Sequence, residues 1–151
     1  MRAAQPINTW LLCSGIGSLL FALLHVAIIV VGPAAYRYFG AANLAPMVEQ
    51  GSFIPAIATG VVAIILGLCS LYAFSGAGLF PTLPLLHVAL ITIGSVYTLR
   101  SLLIFHYIYS LKAGFHPAPR FAVYSIVSLI VGLVHLIGIY RGVQNGNTQG
   151  A

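Results

Sequence analysis

Four stretches of this chain are apolar over the length a helix needs to cross a bilayer: Trp10 to Val31, Phe53 to Phe74, Leu83 to Leu111 and Phe121 to Tyr140. A hydrocarbon core of ~30 Å takes about 20 residues at helical rise. Within lipid, such a segment must satisfy its backbone hydrogen bonds internally, which makes each run a helix. The prediction is an all-α polytopic integral membrane protein, an antiparallel four-transmembrane-helix bundle. It reads as a single transmembrane domain over residues 1–151 with a polar tail at 142–151. With 5% charged residues, the chain could not coat a water-facing surface in any case.

Arg2 followed by an apolar run imitates a secretion signal, but the run to Val31 is longer than the ~7–15 residues of a signal core and reads as a retained first span. The breaks between runs carry turn residues: Gly32-Pro33, then Ser75 to Gly78 with Pro81 and Pro84, then Gly114 with Pro117 and Pro119. Short connections make successive helices antiparallel neighbours. An even number of spans puts both termini and the second loop on one side, side A, and the first and third loops on side B. Arg2 and Arg141 fall on side A; Arg37, Lys112 and Arg120 fall on side B. Such a small difference leaves orientation open by the positive-inside rule, and the lack of any cation in the second loop leans towards side B as cytoplasmic.

Small and polar residues mark the faces turned away from lipid. Ser125, Ser128, Gly132 and His135 recur at spacings of three and four on the fourth span. Ser14, Ser18 and His25 do so on the first, and Ala56, Gly60, Ala63, Gly67 and Ser70 on the second. Such seams suit a compact bundle or contact with another subunit.

Glu49 is the only Asp or Glu in the chain, so paired-carboxylate hydrolysis and carboxylate metal cages are excluded. The six Lys and Arg residues are scattered singly, which gives no phosphate-tracking stripe and no reason to expect nucleic acid as a partner. Cys13 and Cys69 have no metal-ligand spacing and read as small apolar packing residues. The lipid bilayer is the partner the composition requires.

Arg100 stands inside the third run. If the membrane begins at Leu83, Arg100 snorkels to the headgroups and Phe105 to Tyr109 form an aromatic interfacial segment. If instead Tyr107 to Lys112 is the interface, Arg100 is embedded and needs a partner. Glu49, in the first loop on side B, is the expected partner. The predicted intramembrane ion pair Arg100–Glu49 ties that loop over the mouth of the bundle. Tyr97, Thr98, Ser101, Ser125 and Ser128 are the expected lining of an interior pocket.

Five histidines in so apolar a chain raise bis-imidazole haem ligation. His87 and His135 lie at similar depths below side A on adjacent helices, and His25 and His106 are matched near side B. His87 and His106 are offset by about 100° around their helix, so one convincing pair at most exists. The competing reading makes His87, His135 and His25 interior polar residues, with no cofactor; haem b remains the alternative. His116 falls in a loop.

Tyr36-Arg37-Tyr38-Phe39-Gly40, Glu49-Gln50-Gly51-Ser52 with Pro55, Leu71 to Gly78, Leu83-Pro84-Leu85-Leu86 and Tyr97-Thr98-Leu99-Arg100 together resemble a group of small four-span bacterial inner-membrane proteins with no assigned activity. The resemblance implies that the loop-one acid and the third-span arginine belong to a shared pattern. It also implies a multi-pass protein of the bacterial inner, cytoplasmic membrane.

Poverty of reactive groups makes enzymatic activity improbable. A non-enzymatic bundle is the leading expectation, acting as accessory subunit, scaffold or homo-oligomer, alone or within a larger membrane complex. A haem b or quinone-binding electron-transfer subunit is the second, and a carrier or receptor for a small amphiphile or lipid the third.

Overall fold

A computed structural model describes residues 7–148, without the side chains of 144–148; Arg2 and residues 149–151 lie outside the described residues. The protein is all-α, with four helices long and apolar enough to span a membrane. Among the described residues seven helices run in chain order: α1 Thr9–Val31, α2 Pro33–Phe39, α3 Ala45–Glu49, α4 Ile54–Gly76, α5 Leu86–Ser101, α6 Leu103–Lys112 and α7 Arg120–Thr148.

The first, second and fourth expected spans are α1, α4 and the apolar part of α7. The third differs in detail. It starts at Leu86 rather than Leu83, because the chain before it carries Pro81 and Pro84 and Leu85 is left-handed at φ +53°. It is also broken at Leu102 into α5 and α6. There the Ser101 hydroxyl donates to the Thr98 carbonyl at 2.5 Å and the Leu102 amide donates to Leu99, three residues back rather than four. α7 continues to Thr148, through much of the expected polar tail. The end of α1 is set at Gly32, whose φ of +76° only glycine adopts without strain, followed by Pro33 at the start of α2.

The chain divides into two compact units, and α1 and α4 each contribute to both. In unit Gly17–Ser70, the first loop is folded rather than extended. Ile28, Ala35, Tyr36 and Ala45 form its buried core, with Leu24, Phe39, Ala41, Leu44 and Val48 packed around them. The buried Tyr36 hydroxyl and Thr59 Oγ1 are 3.1 Å apart, which joins α2 to α4. Of the seam foreseen on α4, Ala63 and Ser70 are buried, while a side chain at Gly67 would meet no atom within 4 Å.

The other unit combines α1 up to Ile16 with the chain from Leu71 onward. Asn8 organises its side A end. Its Oδ1 accepts from the Leu11 amide at 3.3 Å, its Nδ2 donates to the Gly138 carbonyl at 2.7 Å and its amide donates to Ala77 at 3.1 Å. One side chain thereby caps α1 and fastens it to α7. Ser75 does the same for the second loop: its hydroxyl donates to the Pro81 carbonyl at 2.9 Å and accepts from the Leu83 amide at 3.1 Å. Leu11, Ala77 and Leu90 form the local core.

Candidate functional site

The principal packing surface of this unit is α5 against α7. On α7, Ser125, Ser128, Val131, Gly132, His135 and Gly138 are buried, the face that the three-and-four spacing foretold. On α5 the matching face is Leu90, Gly94, Tyr97 and Ser101. The backbones approach closely: a Cβ on Gly132 would lie 2.7 Å from Thr98 Oγ1 and 2.9 Å from the Thr98 amide nitrogen. No room remains for a ligand. Tyr97, Thr98, Ser101, Ser125 and Ser128 therefore do come together, but as a closed seam rather than as the lining of a pocket. Their hydroxyls are spent on their own helices: Thr98 donates to Gly94, Ser125 to Phe121 and Ser128 to Tyr124, at 2.8, 3.2 and 2.8 Å.

This contact also fixes the register of the two helices. Gly94 lies against Leu136 and Gly132 against Tyr97 and Thr98, so the two antiparallel helices are in register with Arg100 level with about residue 130 of α7. The apolar part of α7 runs only from Phe121 to Tyr140 and has no spare length. Residue 130 is then ~15 Å from either end at 1.5 Å per residue, the middle of the core. Arg100 is also near the centre of the Leu86–Lys112 span by count. Its side chain is exposed, on the outside of α5. Of the two placements open from sequence, the register supports the embedded one.

The expected partner is engaged elsewhere. Glu49 Oε1 pairs with the Arg37 guanidinium, both residues being about half exposed at 47% and 51%. Arg37 lies in the last turn of α2 and Glu49 ends α3, so the folded first loop brings the chain's only side-chain carboxylate to a cation twelve positions away. The sequence pairing of Glu49 with Arg100 thus gives way to a local one, since a compact loop closes a near cation onto the acid at less entropic cost than a distant one. Arg100 has no ion-pair partner among the described residues.

The histidines separate. His135 is fully buried on α7, and neither ring nitrogen has a hydrogen-bond partner among the described residues. His87 is exposed near the start of α5. It lines a cleft of about 320 Å³ with Asn8, Trp10, Leu11, Leu90 and Arg141, whereas His135 is not among the cleft walls. The expected His87/His135 pair is not gathered in one cavity. His25, in the other unit, donates from Nδ1 to the Phe21 carbonyl at 2.8 Å, a bond within its own helix. No cluster of three or more metal-ligating side chains occurs among the described residues.

Sequence reading missed the cleft. It lies at the side A end of the unit, where the Arg141 guanidinium carbon sits 5.2 Å from the centre of the Trp10 ring. The signal was present, because Trp10 opens the first apolar run and Arg141 closes the last, but as single residues both read as ordinary interfacial anchors.

The fold and these sites define a multi-pass, all-α membrane protein. No protein-family model, curated protein or solved structure matches the chain.

Proposed function

We propose that the chain is a non-enzymatic accessory subunit of a larger complex in the bacterial inner membrane, seated against a partner helix through Arg100. The observation that carries this is an arginine exposed on α5, level with the middle of the apolar stretch of α7, while the one side-chain carboxylate of the chain is bound to Arg37. A guanidinium at the bilayer centre costs at least ~2.5–3.5 kcal/mol on insertion scales, and such residues pair or face a protein interior. Here the exposed neighbours are Val96 and Leu99 on α5 and Leu103 at the start of α6, a surface that is lipid-like and offers no counter-charge. A second copy of the chain offers none either, since its Glu49 would be engaged in the same way. The partner is therefore a different polypeptide carrying a carboxylate within a span. The bacterial location rests on the resemblance of the first loop and third span to inner-membrane proteins.

Purification from the native membrane in mild detergent, followed by native mass spectrometry and an absorption spectrum of the same sample, tests the assignment. Wild type is expected as a heteromeric assembly whose partner contains an intramembrane Asp or Glu, and Arg100→Leu as a folded, separate chain. An Arg100→Leu variant that folds and keeps the assembly mass refutes it. A Soret band or a retained quinone would replace it with the electron-transfer reading.

A further inference from the structure

We propose that the cleft at the side A end binds an anionic phospholipid of the adjacent leaflet, a site independent of Arg100 and of any protein partner. The walls hold one cation, Arg141, and no carboxylate. The Arg141 guanidinium lies over the Trp10 ring, a cation–π contact that holds the cation in the wall of the cleft. The Asn8 side chain is held in the wall by its bonds to Leu11 and Gly138, so the charge of the cleft comes from Arg141. With Glu49 taken by Arg37 at the first loop, the anion that neutralises Arg141 has to come from outside the chain's own side chains.

The shape of the site decides for a lipid over a free anion. Beside the cleft, and sharing Leu86 and His87 with it, lies a second hollow of about 330 Å³ lined by Thr82, Leu83, Leu85 and Val88. The first hollow is bordered by Arg141, His87 and Trp10 and the second mainly by the aliphatic Leu83, Leu85, Leu86 and Val88, with Thr82 and His87 beside them. A phosphate ester in the former can extend a hydrocarbon chain over the latter, and the pair is of the size that small-molecule sites have. Both occur at the level where α1 and the apolar part of α7 end, which is where headgroups meet acyl chains. A free phosphate would use the arginine and leave the aliphatic hollow unfilled.

Trp10 is the only tryptophan in the chain and stands in the wall of the cleft, so its fluorescence reports occupancy directly. The full chain is reconstituted in phosphatidylcholine bilayers in which a fixed fraction of lipid is brominated phosphatidylglycerol or, separately, brominated phosphatidylcholine. One arginine near an anionic surface corresponds to about a fivefold preference for the anionic lipid, read as excess quenching by brominated phosphatidylglycerol. Arg141→Gln is expected to reduce that ratio to about one, and Lys112→Gln, remote from the cleft, to leave it unchanged. Equal quenching by the two lipids in wild type overturns the proposal, as does a preference that survives in Arg141→Gln. Should Arg141→Gln fail to fold, Arg141→Lys is read instead: it keeps the charge, so its preference persists at low salt and collapses in 1 M salt, where screening acts over ~3 Å. A preference in Arg141→Lys that is indifferent to salt, or absent at low salt, refutes the charge-based site. Millimolar inorganic phosphate is expected to leave the quenching untouched; if it abolishes the excess, the site is one for a free anion.

Discussion

Replacing Gly132 by alanine tests the close approach of α5 and α7 with a single methyl group. The added Cβ would stand 2.7 Å from Thr98 Oγ1, 2.9 Å from the Thr98 amide nitrogen and 3.1 Å from Tyr97 Cβ. Two of these atoms are backbone or Cβ, and the third belongs to a hydroxyl already donated to the Gly94 carbonyl, so no flexible side-chain end can step aside. The helices must separate by several tenths of an ångström over the whole contact. Overpacking of this kind costs ~1–3 kcal/mol. The clash is with backbone and Cβ atoms, which puts the cost in the upper part of that range. Alanine's better helix propensity returns up to ~1 kcal/mol in a soluble reference helix, leaving a net loss of about 1–2 kcal/mol. For a chain of this size that corresponds to a fall in melting temperature of roughly 2–8 °C. Gly67→Ala is the internal control, since its methyl group would meet no atom within 4 Å. Melting of both variants and wild type in the same mild detergent, followed by loss of the monodisperse peak on gel filtration, reads the difference. A Gly132→Ala protein as stable as wild type, or a Gly67→Ala protein destabilised equally, refutes the reasoning from close approach.

Three further outcomes follow from individual contacts. Tyr36→Phe removes the hydroxyl bonded to Thr59 Oγ1 and is expected to cost ~0.5–1.5 kcal/mol in the same melting assay; no loss would mean the loop is held by its apolar core alone. Glu49→Gln breaks a half-exposed ion pair and should cost under ~1 kcal/mol, an effect that fades as salt is raised, so a large salt-independent loss would argue for a second role of the carboxylate. His135→Leu replaces a fully buried imidazole whose nitrogens have no partner among the described residues by an apolar side chain. Its melting temperature should be equal or higher, and a marked fall would show that the imidazole is hydrogen-bonded in the membrane.

The spans were legible because lipid imposes length and apolarity on each of them, and the buried face of α7 because Ser125, Ser128, Gly132 and His135 carry the helical period openly. The break at Leu102 was not. It depends on where the Ser101 hydroxyl turns, and nothing in the apolar run around it marks that choice. The Glu49 partner was missed for a related reason. Reading the first loop as a strap left Arg37 and Glu49 as separate points, whereas two short helices begun at prolines and ended near glycines fold it back on itself. The pocket residues failed because polar side chains on facing helices point equally to a cavity and to a tight seam. The distinction lies in the backbone separation, which Gly94 and Gly132 set.

Scarcity of acid has different consequences at Arg141 and Arg100, two of the arginines to which the chain offers no side-chain carboxylate. Arg141 lies at the end of an apolar span, where headgroup phosphates are at hand and a guanidinium can be neutralised by lipid at little cost. Arg100 is level with the middle of the apolar stretch of α7, and at the middle of a bilayer a snorkelling side chain reaches the interface only by thinning the membrane or drawing water in. Its outer-face neighbours are aliphatic and lend no help. The two proposals therefore give the cations different counter-ions, a phosphate that diffuses in the leaflet for Arg141 and a carboxylate fixed on another helix for Arg100. The two assignments separate experimentally. Changing the lipid headgroup should alter the cleft and leave assembly intact, whereas Arg100→Leu should abolish assembly in any lipid. If anionic lipid alone restored the behaviour of a chain purified without its partner, the embedded arginine would be reaching the interface after all, and the register argument from Gly94 and Gly132 would have placed it too deep.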